Sequence, residues 1–195
     1  MPEFKVDTFG LGERRFTGCT LLHRMFARQE YSTILQDNAW MLIEEALTQY
    51  PCEYDSWDDV SPLWLLTYMT YLKEGPIEEI LELADLMLKR GDSIDNIAYF
   101  TVLDDLTYTP LCMAAKHGSA EMVSLLLENG ADPGAGDEKP LIAAVKKYEE
   151  EVVKILLESG VDVNQTDEFS NTALYWARDN NDYQMIKLLK QYGAN

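Results

Sequence analysis

Between Ala120 and Glu128 the apolar residues Met122, Val123, Leu126 and Leu127 fall three and four apart, the stripe of one helix face. Val152, Val153, Leu156 and Leu157 repeat that stripe, and Met185, Ile186, Leu188 and Leu189 repeat it again. A shorter apolar run precedes each, opened by TPL at 109–111, KPL at 139–141 and TAL at 172–174. Proline at Pro110 and Pro140 suits a first helical turn, where its missing N–H costs nothing. Thr109 and Thr172 suit the N-cap, where a side-chain oxygen can take an unpaired helix N–H. Gly130, Gly160 and Gly193 stand where each second helix should stop, in a left-handed conformation that strains any other residue. Each unit therefore reads as helix, turn, helix, glycine stop and polar link.

Two helices this short cannot bury their own apolar faces. Neighbouring pairs must stack, and only the interface positions need to be kept from one unit to the next. With TPLCMAAKHG…LLLENGAD, KPLIAAV…ILLESGVDVN and TALYWA…LLKQYGAN in register, the chain resembles the ankyrin-repeat family, clearly over 104–195. The second of these units departs from the pattern: Tyr148 replaces the glycine after its first helix, and its link is three residues short. Upstream the resemblance continues more faintly, in GCTLLHRMFARQ at 18–29, SPLWLLTYM at 61–69 and ILELADLMLKRGDSID at 80–95. From Pro62 to Gly91 is 29 residues against 20 from Pro110 to Gly130, so those upstream helices should be longer. Residues 32–50 read as one long amphipathic helix. The expectation is an all-α ankyrin-repeat solenoid forming a single domain over 1–195. It would hold about five helix-turn-helix units, at about 17–52, 53–97, 104–135, 136–166 and 167–195, the first two elongated. The last unit has the character of a cap, since Lys190 stands where Leu127 and Leu157 stand in the others. The insertion 92–108 contains AYFTVL, whose composition suits a strand. It either extends a hairpin finger or seals the joint between elongated and compact units with Ile97, Tyr99 and Phe100. Sealing is favoured, because exposed apolar patches are uncommon.

Composition adds the sign of the surface. The 195 residues carry 34 Asp and Glu against 16 Lys and Arg, a net charge of −18. The acids run along the whole chain, and 47% apolar content argues for a folded protein rather than a disordered one. Such a field repels nucleic acid and anionic membranes and steers basic proteins inward. Three dispersed cysteines, Cys19, Cys52 and Cys112, form no metal or disulfide pattern and fit a reducing cytosol. With no leader-like N-terminus and no membrane-length apolar run, the expectation is a cytoplasmic protein.

No constellation of reactive residues stands out, so no catalytic, metal-binding or cofactor-binding residues are assigned and no enzyme is expected. The resemblance implies that His23 hydrogen-bonds between repeats, and that Cys112, in the same slot, is buried and inert. The links between units, which in ankyrin stacks project as fingers beside a groove of first helices, are the more telling segments. They read EYDSWDDV, DDLTY, AGDEK and TDEFSN. Partner contacts are expected from Tyr54, Asp55, Trp57, Asp58, Asp59, Asp104, Asp105, Tyr108, Asp137, Glu138, Asp167, Glu168 and Phe169. Acidic rims orient a basic partner, and desolvated aromatics supply most of the binding energy. In the groove, Arg24, Leu65, Met113, Ala143 and Trp176 align in one column, and Arg28, Met69, His117, Lys147 and Asn180 in another. Of these, Met113, His117 and Trp176 are expected to touch a partner. Lys116 and Lys146 beside them either neutralise nearby acids or accept an acidic segment.

The expected function is recognition of another protein with a basic surface, as a monomer binding one to one and inhibiting or masking it. Small acidic single-domain proteins of this kind resemble bacterial immunity proteins that neutralise a toxin. The alternative is an adaptor that tethers a regulatory protein without inhibiting it.

Overall fold

The computed structural model describes residues 63, 64, 66, 67, 70, 77–91, 93–95, 98, 99 and 107–195. Seven helices are complete among them. They are α1 (Ile77–Lys89), α2 (Pro110–Lys116), α3 (Ala120–Glu128), α4 (Pro140–Lys146), α5 (Glu150–Glu158), α6 (Ala173–Asp179) and α7 (Tyr183–Gln191). Three pairs, α2–α3, α4–α5 and α6–α7, repeat one design: a seven-residue first helix and a nine-residue second one.

The caps form as the sequence requires. Cys112 N donates to Thr109 Oγ1 at 3.1 Å and Tyr175 N to Thr172 Oγ1 at 3.2 Å. Gly130, Gly160 and Gly193 are left-handed, at φ 87°, 87° and 91°. Past each of them a backbone N–H reaches back five residues, Ala131 to Leu126, Val161 to Leu156 and Ala194 to Leu189, and satisfies the end of the second helix. The same closure is used between the paired helices, where Gly118, Tyr148 and Asn181 occupy one left-handed position at φ 73°, 64° and 55°. At Gly118 an added β-carbon would also collide with the Glu149 carboxylate of the next unit.

The core lies between the layers. Every residue of α2 from Pro110 to Ala115 and of α4 from Pro140 to Val145 is buried, because each first helix is sandwiched by neighbours. α6 has a neighbour on one side and buries only Ala173, Leu174 and Ala177. The second helices contribute Met122, Val123 and Leu126, then Val152, Val153, Leu156 and Leu157, then Met185 and Leu189. Burial of a single such leucine or valine stabilises the fold by about 1.5–3 kcal/mol, which is what holds short helices that would not survive alone.

The stack continues upstream of the compact units. Leu63, Trp64 and Leu66 lie in the same core as α1 residues Ile80, Leu83, Ala84 and Met87. Thr67 Oγ1 donates to the Leu63 carbonyl at 2.8 Å, and Thr70 Oγ1 meets Ser119 Oγ at 2.7 Å across the unit boundary. α1 has 13 residues where its compact counterparts have nine, and it ends at left-handed Gly91. Residues 1–62, which contain the long helix expected over 32–50 and the first unit, lie outside the described residues.

The insertion is paired in part. Two short strands, β1 (Ala98–Tyr99) and β2 (Thr107–Tyr108), pair antiparallel with Ala98 opposite Tyr108 and Tyr99 opposite Thr107. The strand-like composition of the segment is thus expressed in paired strands. The side chains of Ile97, Tyr99 and Phe100, expected to seal the joint, lie outside the described residues.

Candidate functional site

Two finger segments are described, and they are built differently. The 166–172 turn is closed by a backbone bridge between Thr166 and Thr172 and folds around the Asp167 side chain. One carboxylate oxygen, Oδ1, accepts from Phe169 N at 3.0 Å and Asn171 N at 2.9 Å. The other, Oδ2, accepts from the indole Nε1 of Trp176 at 2.8 Å, which ties the finger to α6. Burial alone would raise the Asp167 carboxyl. The bonds from Asn171, Trp176 and Phe169, with Lys146 nearby, outweigh it and hold the group below its ordinary value. Ser170 completes the turn at φ 62°. The outcome is a stiff tip that displays Glu168 and Phe169, with 71% of Phe169 exposed.

The finger before α4, three residues shorter, has no such bridge. Lys139 stands at the N-cap where the other units have threonine, and its ammonium serves the loop instead. It donates to the carbonyls of Gly134 at 2.6 Å and Gly136 at 2.8 Å. Asp137 is exposed at this tip, while Glu138 turns inward and is buried.

Lys146, on the last turn of α4, explains that inward turn. Its ammonium lies 3.0 Å from Glu138 Oε1 and 3.7 Å from Asp167 Oδ2. It also sits 4.4 Å from the centre of the Trp176 ring, whose negative face attracts it. One lysine thus joins two successive fingers and the aromatic of the next helix. In the preceding unit Lys116 acts in a related way, donating to the Tyr108 hydroxyl at 2.7 Å from a position 4.1 Å above the ring. Of the two readings offered for these lysines, internal neutralisation is what Lys146 does.

The expected contact residues therefore divide. Asp137, Glu168 and Phe169 are exposed, and Trp176 and His117 are half-buried. Tyr108, Met113, Glu138 and Asp167 are buried, which corrects their assignment as contact residues. Met113 and Ala143 do not line an open groove; they are covered because the neighbouring first helices close over them, and among the described residues of that column Trp176 is the one partly exposed. Glu138 and Asp167 are structural supports of the tips rather than the tips themselves. His117 is held neutral, with its pKa pushed down to about 4 by burial and by Lys116 and Lys147. Cys112 is fully buried and its thiol is pushed up, first by burial and then by Glu138, so it is inert as expected. Tyr54, Asp55, Trp57, Asp58, Asp59, Asp104 and Asp105 lie outside the described residues.

Sequence reasoning missed Lys139 and Tyr175, and noted Tyr148 only as a departure from the repeat. Lys139 was legible as the one first-helix N-cap of the three compact units that is not threonine. Tyr175, 48% exposed, packs edge-on to Trp176 with ring centres 5.5 Å apart. Tyr148 is 58% exposed in a backbone conformation that tyrosine resists.

Among the described residues no group of His, Cys, Asp and Glu is placed to hold a metal ion. No described helix is long and apolar enough to cross a membrane. Two family models match the chain, one described as ankyrin repeats (many copies) over 100–139 and one as ankyrin repeats (3 copies) over 135–195. A search of curated proteins finds no significant match. Ankyrin repeats generally mediate protein–protein interaction and are typically non-enzymatic.

Proposed function

We propose that this chain, whose C-terminal region consists of ankyrin repeats, binds a protein with a basic surface along its finger edge and masks it. The observation that carries the reading is the division of charge at the fingers. Glu138 and Asp167 are turned inward to Lys146, while Asp137 and Glu168 are exposed at the two described tips. Beside them stand Phe169 and the half-buried Trp176, the residue types that dominate binding energy when a partner excludes water from them. The net charge of −18 adds long-range attraction for a cationic partner. On this reading Tyr54, Asp55, Trp57, Asp58, Asp59, Asp104 and Asp105 also contact the partner. Masking rather than tethering is favoured by the binding edge itself, since a row of tips can cover a cleft by bulk alone. An immunity protein that covers the cleft of a basic toxin would work in this way.

The test is capture of partners from native extract at low and high salt, with an Asp55/Asp58/Asp59 charge-reversal variant alongside. A single basic protein, retained at low salt, lost with the variant and inactive while bound, is the expected result. A partner whose activity is intact in the complex would overturn masking in favour of tethering. A partner indifferent to salt and to the variant would overturn the acidic edge as the binding surface, because exposed charges act over about 8 Å at physiological salt.

A further inference from the structure

Two aromatic rings on this side of the stack already carry a cation. Lys116 lies 4.1 Å from the Tyr108 ring centre and Lys146 lies 4.4 Å from that of Trp176. Both cations belong to the protein itself. Phe169 is chemically similar and differently placed. It stands at the tip of the 166–172 turn with most of its ring in water, next to exposed Glu168. The turn beneath it is fixed by the three bonds to Asp167. A phenyl group there gives the fold almost no burial, while the backbone that carries it is already held by those bonds, so less order remains to be lost when something binds it.

An exposed aromatic ring and an exposed carboxylate on consecutive residues of one tip, in a molecule of net charge −18, fit a flat cation. Between the two cationic side chains the chemistry favours arginine. A guanidinium is planar and weakly hydrated, stacks on an aromatic face and offers a fork of N–H donors to a carboxylate. An ammonium is compact and strongly hydrated and gives up more on leaving water. We infer that the 166–171 tip reads arginine on its partner, with the Phe169 ring stacking the guanidinium and the Glu168 carboxylate pairing with it. This rests on the reading of a basic partner given above and specifies the chemistry of its contact.

The experiment titrates fluorescently labelled nona-arginine and nona-lysine peptides against the full chain in low-salt buffer, reading anisotropy. The chain should bind nona-arginine more tightly than nona-lysine by about two- to five-fold, the range of an exposed cation–π contact. Phe169→Leu keeps the bulk, removes the ring and should weaken nona-arginine more than nona-lysine, so that the preference is lost. Phe169→Tyr should restore it, and Glu168→Gln should weaken nona-arginine more than nona-lysine. Circular dichroism confirms that each variant remains folded. Equal binding of the two peptides would overturn the arginine reading and leave a basic partner standing. An arginine preference that survives Phe169→Leu would overturn its placement at this tip. Failure of both peptides to bind would overturn the arginine reading together with the basic partner it rests on.

Discussion

Replacing Lys146 by methionine, which keeps the apolar stem and removes the ammonium, should destabilise the protein out of proportion to one surface charge. The Lys146 side chain is 27% exposed, but its partners Glu138 and Asp167 are only 8% and 3% exposed. Without the ammonium the two carboxylates stay inside with their compensating cation gone. Breaking a fully buried pair costs about 3–5 kcal/mol. Partial access of water to Lys146 lowers this, and the lost contact with the Trp176 ring adds about 0.5–1 kcal/mol. The net expectation is about 2–3 kcal/mol. Lys147, the next residue, is exposed and supplies the matched control, since surface substitutions usually stay within about 0.5 kcal/mol. Urea unfolding of Lys146→Met and Lys147→Met, followed by circular dichroism, measures the difference. The gap should also narrow in acid. Asp167 has a folded pKa below its ordinary 3.8, so its contribution is present above that value and is lost as pH falls through the lower folded one. If Lys146→Met unfolds within about 0.5 kcal/mol of Lys147→Met, the three-way junction does not hold the fingers, and the tips are not set in advance.

Two further perturbations follow from strained or buried groups. His117 has a folded pKa near 4 against 6.5, so the unfolded chain binds more protons between those values and stability falls as pH drops through that window. The wild type should lose about 1–2 kcal/mol between pH 7 and pH 5, allowing for partial solvent access, that a His117→Gln variant does not lose; parallel denaturation curves for the two proteins across this range would contradict the assignment. Tyr148→Gly should stabilise the protein by about 0.5–1 kcal/mol, because relief of left-handed strain exceeds the entropic cost of glycine. Thermal or urea unfolding measures it, and an unchanged or lower midpoint would show that the tyrosine side chain holds the turn.

What the sequence made legible is what depends on near neighbours in the chain. The Met122–Leu127 stripe and its two copies, the Thr109 and Thr172 caps and the Gly130, Gly160 and Gly193 stops each satisfy a requirement within about one helical turn. The site was harder, because its logic is non-local. Glu138 and Asp167 look like ordinary acids of polar links, and nothing near them in the chain shows that Lys146 reaches both. The closest signal was Trp176: an indole N–H in a half-buried column needs an acceptor, and Asp167 precedes it by nine residues. Met113 and Ala143 share that column but are sealed by the next helix, a matter of layer spacing that a single repeat does not encode. In the 92–108 segment the strand-like composition was legible, and it is expressed as the pairing of Ala98 and Tyr99 with Tyr108 and Thr107.

Hydrogen exchange of the captured complex against the free protein decides whether recognition occurs on the finger edge and the first-helix face. Slowed exchange at the finger segments 53–60, 104–108, 135–139 and 166–172 and at the exposed ends of α4 and α6 is the expected result. Protection concentrated instead on α3, α5 and α7, with the fingers exchanging as in the free protein, would move the binding surface to the opposite side of the stack and contradict the finger-edge reading.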